Sequence, residues 1–456
     1  MFLGRQSELA FLEKLYNSNE LHCVCLNGAA GIGKTSLLQE LGKRRSKAYF
    51  CVRSCTENAN KAAFLAEMAV QGIVDSKVCM SWQDALNAII KKACGEKMLL
   101  MIDDAQELGD SFHELLSALL TLVQKEASRL RLLIIFSGRR LDFLQNSLRK
   151  VGLKADFLTL DYLSYEECVS CFSAFNNDEK VMLYGITGGA PQYLCYIDAA
   201  MSFKENLYKL FYAPDACLLR EGEKRLGQEF RQPHIYHAVL CSVACGAVHM
   251  KDIAEAVGMS MNKVSKYIGV LLKAGFLQRL VPIDEVALAK QHKNTCYVLT
   301  DTMLSFWYQF VYPYLGSIAM GAGKLLLRTK VLAALETYAR LVFLNICYQH
   351  CFLLRERKNF AFDFTAAGFL WPKGDSSLEQ LRLAAYDKNN ACFMQSLWTK
   401  GKVDIDVIKM LQANYADDSG KNNYYLLFSR RGFTDRALSY AAKTQNIRLI
   451  SLFYLR

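Results

Sequence analysis

Proline is scarce in this sequence, and we find neither low-complexity tracts nor repeats at solenoid periods. Only 6 of the 456 residues are proline, while hydrophobic residues make up 52% of the chain and charged residues 22%. This balance excludes a disordered chain, because ample apolar material is present to form buried cores. At about 150 residues per domain, the length predicts about three domains.

The sequence also lacks a recognisable segment for export or membrane insertion. Arg5, Glu8 and Glu13 interrupt its first residues, so we expect no signal peptide. An uncharged run at 302–323 contains Pro313 and several polar residues, whereas a spanning helix needs about 20 mostly apolar residues. We interpret this run as buried helices joined at a proline turn, and we expect a cytoplasmic protein with no membrane partner.

Disulfide bonds are not expected, although the chain has 16 cysteines. Without an export signal, the thiols would remain in a reducing compartment. A structural zinc site needs two close cysteine pairs at hairpin spacing, and the close pairs here lie far apart on apolar helical patterns. We therefore expect buried, inert thiols. The pairs are Cys168 and Cys171, Cys241 and Cys245, and Cys347 and Cys351.

The positive charge is unevenly distributed along the chain. Residues 1–200 contain 22 Lys and Arg against 23 Asp and Glu, a net charge of −1. Residues 201–456 contain 33 against 21, a net charge of +12. A basic module beside a neutral one points to an acidic partner such as nucleic acid, although Lys and Arg also solvate ordinary surfaces.

Short apolar runs alternate with longer helical patterns up to residue 160. Nearly continuous apolar runs are typical of parallel strands that are covered on both faces. Their alternation with helices predicts βαβ units, and hence a doubly wound α/β domain over residues 1–160. The predicted strands are 22–27, 48–53, 97–103, 131–137 and 156–160, and the predicted helices are 34–45, 59–71, 81–94 and 111–127.

The pattern becomes helical after residue 160. We interpret residues 161–233 as a helical lid followed by a connector, because 214–233 is charged and bounded by Pro214 and Pro233. Residues 303–456 mix helices with strands and form the last predicted domain. Its clearest predicted strands are 423–429 and 447–455.

Residues 234–302 have the pattern of a winged helix-turn-helix. Three helical stretches precede two apolar segments that are joined by a polar loop, which predicts three helices and a two-stranded hairpin. The third helix, 262–274, is the candidate recognition helix, and packing on a nucleotide domain is the alternative role. The helices are 235–246, 250–257 and 262–274, and the hairpin segments are 275–283 and 295–300. The candidate DNA-contacting residues are Asn262, Lys263, Lys266 and Lys273.

Residues 28–35, Gly-Ala-Ala-Gly-Ile-Gly-Lys-Thr, match the phosphate-binding pattern G-x-x-x-x-G-K-[ST]. They stand between a predicted strand and a predicted helix, where backbone N–H groups and the helix N-terminus face phosphate. Lys34 would reach the β- and γ-phosphates, and the Thr35 hydroxyl would ligate Mg²⁺. The predicted nucleotide-binding residues here are Gly28, Ala29, Ala30, Gly31, Ile32, Gly33, Lys34, Thr35 and Ser36.

A second apolar strand ends in two carboxylates, Asp103 and Asp104, about two βα units downstream. Asp103 is placed to hold Mg²⁺, directly or through water, and Asp104 is placed to polarise the attacking water. This second motif argues against a chance match of the glycine-rich turn. Nothing matches a guanine-reading motif, so we expect ATP and Mg²⁺ as ligands.

The following strand ends in Ser137, a candidate sensor of the γ-phosphate. Arg139 and Arg140 come next and would neutralise transition-state charge, in cis or across a subunit boundary. The alternative is that they are solvated loop charges. The predicted catalytic residues are Lys34, Asp104, Ser137, Arg139 and Arg140, and the predicted metal ligands are Thr35 and Asp103.

Together these motifs resemble the archaeal-type P-loop ATPases, which are related to the AAA+ and STAND ATPases. Residues 2–9, Phe-Leu-Gly-Arg-Gln-Ser-Glu-Leu, are similar to the family's opening G-R-x-x-E-L near the adenine pocket, which implies nucleotide contacts from Gly4 and Arg5. Residues 188–194 are similar to the family's GG-x-P-x-Y-L, which implies that Pro191 lies near the base. The tail resembles domain of unknown function 234, so the resemblance covers nearly the whole chain.

The sequence departs from the family's pattern at the Walker B motif. The family usually places Glu after the Walker B aspartate, whereas this chain has Asp104 in the segment Asp-Asp-Ala-Gln at 103–106. The side chain is shorter by a methylene group, so the resemblance implies slow hydrolysis or tight holding of the nucleotide.

The second departure lies in the tail, because the tails of many such ATPases are similar to PD-(D/E)XK nucleases. That chemistry needs an acidic residue and then Glu-x-Lys on an adjacent strand to hold a metal. The first motif aligns with Glu379-Gln380-Leu381 and the second with Gln395-Ser396-Leu397, so the metal-binding residues are missing, and Glu336 is the candidate for a remaining helix acid. We expect a nuclease-like α/β fold without catalytic activity.

The leading functional hypothesis is a Mg-dependent, ATP-driven switch that moves the winged helix and the basic tail. A nucleotide-stabilised scaffold that barely turns over is the second hypothesis, and Asp104 favours it. An ATP-dependent nuclease is the third, and Gln395 and Leu397 argue against it. ATP or ADP is the expected ligand, with nucleic acid and a second copy of the chain as candidate partners.

Overall fold

The computed structural model describes residues 2–18, 20–74, 81–126, 129–283, 295–371, 381–416 and 420–455. The chain divides into two compact units. The first comprises Met1–Leu163 together with Ala190–Gln192, and the second comprises Ser164–Gly189 and Tyr193–Arg456. The predicted division into four parts is finer than this one and stays a prediction.

The first unit is built on a parallel five-stranded sheet in the order β2-β3-β4-β1-β5. Each predicted strand is present within a few residues, as is each predicted helix, which confirms the doubly wound α/β fold. The elements are α1 Gln6–Asn17, β1 His22–Gly28, α2 Lys34–Leu41, β2 Lys47–Cys51, α3 Glu57–Val70, α4 Trp82–Gly95, β3 Met98–Asp103, α5 Ser111–Glu126, β4 Leu132–Gly138, α6 Leu141–Val151 and β5 Asp156–Leu160.

Two apolar cores cover the opposite faces of this sheet. On β4, Ile134 and Phe136 belong to one core, whereas Leu133 and Ile135 belong to the other. Burial on both faces explains why the strands have continuous apolar runs rather than alternating patterns. Helices α1 and α6 are absent from the sequence-based prediction, because each buries only a narrow face; Leu12 is the buried residue of α1.

The second unit begins with short helices, as the pattern after residue 160 predicts. The connector prediction for 214–233 was incomplete, because this segment contains the helix α11, which buries Glu221, Gly222 and Leu226. Its high charge belongs to the exposed face of that helix. The elements are α7 Tyr165–Val169, α8 Asn177–Thr187, the helical turn α9 Pro191–Leu194, α10 Phe203–Leu207, a π-helical turn Tyr208–Tyr212 and α11 Glu221–Glu229.

The elements that a winged helix-turn-helix requires follow in the predicted order. Three helices are succeeded by strands β6 and β7, which pair antiparallel with Leu277 opposite Leu299 and Leu280 opposite Cys296. Val264, Ile268 and Leu271 form the buried side of the third helix. The elements are α12 His234–Ala244, α13 Met250–Val257, α14 Met261–Lys273, β6 Leu277–Leu280 and β7 Cys296–Leu299.

A long helical region follows, and it contains the uncharged run that we predicted to form buried helices. A turn containing Pro313 interrupts that run, and Phe306 and Trp307 before the turn are buried. The elements are α15 Thr302–Phe310, α16 Leu315–Ala319, α17 Gly323–Leu326, a π-helical turn Leu327–Val331 and α18 Leu332–Glu356. By length and composition, Gly323–Glu356 is the one segment in the described part of the chain that could cross a membrane. Half of its most apolar window is buried, and we interpret it as a core helix.

The tail forms a mixed sheet in the order β12-β11-β10-β9-β8, in which β10, β11 and β12 are parallel and β8, β9 and β10 are antiparallel. The predicted strand at 447–455 is shorter than expected, because a 3₁₀ turn begins at Leu452. The elements are β8 Ala366–Leu370, β9 Arg382–Tyr386, β10 Asn390–Leu397, α19 Ile405–Asn414, β11 Asn422–Ser429, α20 Asp435–Lys443 and β12 Ile447–Ser451.

The cysteine prediction was only partly right. Cys168, Cys347 and Cys351 are buried, but Cys245 is exposed. Cys245 caps the C-terminus of α12, where the helical pattern ends and the side chain is no longer held inside the unit. Within the ranges that the structure describes, no cluster of three His, Cys, Asp or Glu side chains forms a metal site.

Gly222 on α11 provides a test of the packing in the second unit. A Cβ atom on Gly222 would overlap the buried ring of Trp307, whereas a Cβ on Gly227 of the same helix would meet open space. Gly222→Ala should lower stability by about 1–3 kcal/mol, as overpacking does. Gly227→Ala should raise it by about 0.5–1 kcal/mol, because alanine favours helix. Scanning calorimetry measures both, and equal melting temperatures would contradict this packing.

Candidate functional site

The loop between β1 and α2 requires glycine at two positions for different reasons. Gly33, at the N-cap of α2, has φ of 96°, a left-handed conformation that favours glycine. Gly28 has no such φ, but a Cβ there would lie 2.9 Å from both the Leu160 carbonyl oxygen and the Ile32 Cγ2 atom. The loop is therefore held against the end of β5 by close backbone packing, and this packing shapes the phosphate cradle.

Lys34 folds back over this loop. Its Nζ atom donates hydrogen bonds to the carbonyl oxygens of Gly28, at 2.8 Å, and Ala29, at 2.9 Å. Burial lowers the pKa of Lys34, and the charges of Asp104 and Asp103 oppose that shift. The ammonium group thus lies inside the loop and among acceptors that a phosphate would replace.

Asp103 at the end of β3 accepts hydroxyl hydrogen bonds from three different elements. Thr35 on α2 donates to Oδ2 at 2.6 Å, and Tyr49 on β2 donates to the same atom at 3.2 Å. Ser137 on β4 donates to Oδ1, which also accepts the Asp104 backbone N–H at 3.2 Å. The carboxylate is 1% exposed, so these donors supply the solvation that burial removes.

Asp104 follows with φ of 54°, a left-handed conformation that is uncommon for a residue other than glycine. Gln106 donates from Nε2 to the Asp104 carboxylate at 3.3 Å and accepts the Arg139 backbone N–H at 3.2 Å. The Arg139 guanidinium pairs with Glu107 at 3.0 Å. Gln106 therefore connects the second Walker B carboxylate to the loop after β4.

The opening segment is attached to the same loop through Arg5. This side chain is 4% exposed and donates to the carbonyl oxygen of Ile32 at 3.2 Å, to the carbonyl oxygen of Asp161 and to the Glu8 carboxylate at 3.0 Å. Gly4 and Arg5 both have left-handed backbone conformations. Arg5 thus braces the loop, and its contact with the nucleotide stays a prediction.

Residues Ala190–Gln192 belong to the first unit although the segments on both sides of them belong to the second. The Pro191 Cγ atom lies 3.5 Å from the position that a Cβ atom on Gly33 would occupy. The Gln192 side chain lies at the position that a Cβ atom on Gly31 would occupy. Pro191 and Gln192 therefore pack directly on the phosphate-binding loop.

The structure brings together most of the predicted site residues, but Arg140 lies apart from them. Ala29, Ala30, Thr35 and Ser36 are exposed on the open side of the loop. Arg140 caps α6 and is exposed, and in the described chain no hydrogen bond or ion pair joins its side chain to the loop. The assignment of catalytic and binding roles to all of these residues stays a prediction.

Sequence reasoning missed Tyr49, Gln106 and Gln192 as members of this site. Tyr49 lies on a strand without a motif, and only the pairing of β2 with β3 brings it beside Asp103. Gln106 and Gln192 lie within motifs that the resemblance had identified, so their positions in the motifs were a signal. Their partners, Arg139 and Gly31, follow only from the fold.

In the tail, the candidate helix acid Glu336 is paired with an arginine. Arg430, which follows β11, donates to Glu336 at 2.8 Å and to Asp178 on α8 at 2.8 Å and 3.0 Å, and its guanidinium lies 4.4 Å from the centre of the Trp398 ring. Burial raises the pKa of Glu336, but the hydrogen bond and charge of Arg430 outweigh it and hold that pKa below its usual range.

The predicted nuclease motifs are only partly described. Gln395 and Leu397 lie on β10, whereas Glu379 and Gln380 are outside the described residues. The absence of nuclease chemistry in the tail therefore stays a prediction. What the structure adds is that Glu336, whose side chain is 47% exposed, pairs with Arg430.

Comparison with known proteins agrees with this geometry. Residues 1–135 match the AAA ATPase domain family, and residues 307–415 match a family described as archaea bacterial proteins of unknown function. The fold and the site define a P-loop ATPase of the AAA group. An AAA ATPase domain followed by that tail, domain of unknown function 234, is the combination that an archaeal-type P-loop ATPase would have.

The chain is 23% identical over 422 residues to the uncharacterized protein MJECL04 of Methanocaldococcus jannaschii, covering 91% of each chain. It is similar to the Walker-type ATPase of Pyrococcus abyssi, with 15% identity, a TM-score of 0.49, and coverage of 67% of this chain and 96% of that one. It is also similar to the Aeropyrum pernix Orc1 protein solved in complex with DNA, with 14% identity, a TM-score of 0.34, and coverage of 74% and 95%. Similarities at this level carry no statement about what this chain binds.

Gly28→Ala tests the close packing of the loop. The added Cβ would push the loop away from the Leu160 carbonyl and from Ile32, so ATP affinity should fall by roughly tenfold or more as the N–H groups lose their arrangement. Gly95→Ala is the matched control, because a Cβ there meets nothing within 4 Å. Calorimetric titration with ATP compares the two, and equal affinities would refute the role of this contact.

Proposed function

We propose that this ATPase is a Mg-dependent switch, in which the nucleotide state is coupled to the winged helix and the tail. The observation that carries the proposal is the 2.6 Å hydrogen bond from Thr35 to Asp103. It brings the hydroxyl after the P-loop lysine to the carboxylate at the end of β3, which is the pair that Mg²⁺ chemistry requires in a P-loop site.

The residues present fit a magnesium ion. Thr35 and Asp103 offer the oxygen atoms that Mg²⁺ prefers, and water and phosphate oxygens would complete its shell. When bound, the ion would neutralise charge on the β- and γ-phosphates. In our proposal Thr35 and Asp103 hold it, while Ser137 and Tyr49 keep the Asp103 carboxylate in orientation through their hydroxyl groups.

The remaining residues have separate proposed tasks. Lys34 leaves the carbonyls of Gly28 and Ala29 to bind phosphate, and Asp104 orients the attacking water. Ser137, between the carboxylate and the loop after β4, senses the γ-phosphate. Arg139 or Arg140 neutralises transition-state charge, in cis or from a second copy of the chain. Gly4, Arg5 and Pro191 bound the nucleotide pocket.

Lys34→Ala should weaken ATP binding by roughly tenfold to a hundredfold, because a hydrogen bond to a charged group contributes about 1.5–3 kcal/mol. Lys43→Ala is the control, since Lys43 is exposed at the end of α2 and pairs with Glu40. Titration of both variants with ATP, with and without Mg²⁺, measures the effect. ATP binding by Lys34→Ala at the wild-type affinity would overturn the proposed site.

The second candidate function is a nucleotide-stabilised scaffold, and the constrained Asp104 favours it. If Asp104 orients water, Asp104→Asn should lower kcat by about a hundredfold. Asp104→Glu, which restores the missing methylene group, should raise kcat severalfold. Steady-state phosphate release measures both. No change in either variant, with ATP still bound, would favour the scaffold over the switch.

The coupling route follows the chain itself. At its N-terminal end, α8 carries Asp178, which Arg430 and Arg431 bind with distances of 2.8 Å and 2.7 Å. At its C-terminal end, α8 leads through two glycines of left-handed backbone, Gly188 and Gly189, to Pro191 and its packing on the P-loop. One helix of 11 residues therefore connects the contacts of the tail to the contacts of the nucleotide loop.

Arg430→Gln tests this route. It should leave ATP affinity within about twofold of wild type, because Arg430 is not in the nucleotide site. ATP-dependent protection from hydrogen exchange in α12–α14 and in the tail sheet should be reduced by half or more, since α8 loses its contact with the tail. Arg436→Gln is the control, because Arg436 is exposed and pairs with Asp404 at 3.5 Å.

Breaking a buried ion pair also destabilises, so circular dichroism and melting must show that the variant is folded. Asp178→Asn, which keeps the size of the side chain, should give the same loss of coupling. Unchanged ATP-dependent protection in both folded variants would exclude this route.

Nucleic acid is the candidate partner of the basic half of the chain. The proposed DNA-contacting residues Asn262, Lys263, Lys266 and Lys273 are all exposed on α14, opposite its buried face. Such lysines bind phosphate, and the binding weakens with salt.

In this proposal the four predicted parts are 1–160, 161–233, 234–302 and 303–456, and the protein is cytoplasmic. The nuclease alternative is not favoured by any observation here.

A further inference from the structure

The second unit contains a groove that neither the nucleotide site nor the winged helix uses. It encloses about 580 Å³ between two helical walls. The first wall is α10 with the π-helical turn that continues it, and the second wall is α17 with the π-helical turn that continues it. We call this feature the basic groove and define it by Lys204, Tyr208 and Lys209 on the first wall and Lys324, Leu327 and Arg328 on the second.

The two walls are held together by close backbone packing at one end of the groove. A Cβ on Gly323 would overlap the carbonyl oxygen of Tyr212, so glycine at this position lets α17 approach the end of the first wall. Each wall includes a π-helical turn, at Tyr208–Tyr212 and at Leu327–Val331. Such turns are rare and are found frequently at functional sites. The groove is thus a built feature of the fold rather than a gap between mobile segments.

Cations form both rims of the groove. Lys204, Lys324 and Arg328 are exposed, and in the described part of the chain no ion pair is formed by Lys204 or Arg328. The Nζ atom of Lys324 lies 5.4 Å from the centre of the Tyr208 ring. The one acidic residue that lines the groove, Glu205, is used to cap α10 through the Ser202 hydroxyl. Lys209 pairs with Asp198 at 3.6 Å, so the net positive charge of the lining comes from Lys204, Lys324 and Arg328 against Glu205.

The floor of the groove is apolar. We use the word floor for the apolar lining residues Met201, Ala213 and Leu332, to which Leu327 of the second wall adds. A nucleic-acid backbone would gain from the cations but would leave this apolar surface exposed to water. An occupant that gains from both has an apolar stripe with carboxylates on each side.

We infer that the basic groove is a docking site for an acidic amphipathic helix of a partner protein, which lays its apolar stripe on the floor while its Asp and Glu residues pair with the two rims. Charge complementarity fixes the sign of the partner, and cations on both walls favour a narrow segment that lies between them. This inference is independent of the proposed nucleotide switch, because no residue of the groove belongs to the nucleotide site.

The test uses the full-length protein and a fluorescein-labelled helical peptide of about 18 residues. Leu occupies positions i, i+3, i+4, i+7 and so on, which form one apolar stripe, and Glu occupies the other positions. Fluorescence anisotropy measures its affinity at about 50 mM and about 300 mM salt. We expect the peptide to bind and its affinity to fall with salt. A peptide with Ser in place of Leu should bind roughly tenfold more weakly, because the floor loses its apolar contacts.

The double variant Lys204→Glu/Arg328→Glu should bind the Leu-Glu peptide roughly tenfold or more weakly than the wild type. The matched control is Lys400→Glu/Lys402→Glu, which makes the same change of charge at exposed residues far along the chain, and it should stay within about twofold. Circular dichroism and ATP titration verify that both variants fold.

Three results would overturn the inference. Equal losses in the two double variants would mean that net charge alone attracts the peptide. Equal affinity of the Ser and Leu peptides would exclude the apolar floor. Loss of binding to a 20-base-pair DNA duplex in the groove variant, without any binding of the peptide, would assign the groove to nucleic acid instead.

A second measurement keeps the inference testable if the groove variant fails to fold. A carbodiimide cross-links the carboxylates of the bound peptide to lysines that they contact in the wild-type protein. Mass spectrometry should then place the cross-links on Lys204, Lys209 and Lys324. Cross-links concentrated on Lys263, Lys266 and Lys273 of α14 would contradict the inference and point to the winged helix.

Discussion

The hydrogen bonds that converge on Asp103 are the interaction on which the nucleotide site depends. A carboxylate buried to this degree is stable only if donors replace its lost water, and here they come from α2, β2 and β4. The carboxylate therefore fixes the positions of its donors, and the donors fix the position of the carboxylate. A ligand that takes an oxygen of Asp103 would disturb Thr35, Tyr49 or Ser137, so the site is connected to one helix and two strands.

A few contacts also connect the nucleotide loop to residues that lie far from it along the chain. The segment Ala190–Gln192 packs on the loop, and α8 carries Asp178 at its other end into an ion-pair cluster with Arg430. In that cluster Glu336, the candidate helix acid, accepts a hydrogen bond from the Arg430 guanidinium.

The parts of the site that the sequence predicted are those that depend on local rules. Glycine spacing, the Lys-Thr pair at the start of α2 and a strand ending in carboxylates are readable because each function needs its residue type at a fixed separation along the chain. Tyr49 shows the limit of such reading. Nothing about a tyrosine in a short strand indicates a polar role until β2 pairs with β3 and brings its hydroxyl to Asp103. Cys245 shows a related limit. Helical periodicity predicts burial only while the helix continues, and α12 ends just before Cys245, which is exposed.

The five strands of the first unit, four of its helices, the phosphate-binding loop and the class of ATPase could be predicted from the sequence alone, because continuous apolar runs and short motifs act over a few residues. Only the tertiary structure decided that β4 lies between β1 and β3, and so that Ser137 reaches Asp103. It alone decided that Arg430 meets Glu336 and Asp178, which lie 94 and 252 residues away along the chain. It also made a positive groove from two helices that are separated by more than a hundred residues. Contacts at such separations depend on how whole elements pack, and no local pattern in one sequence records that packing.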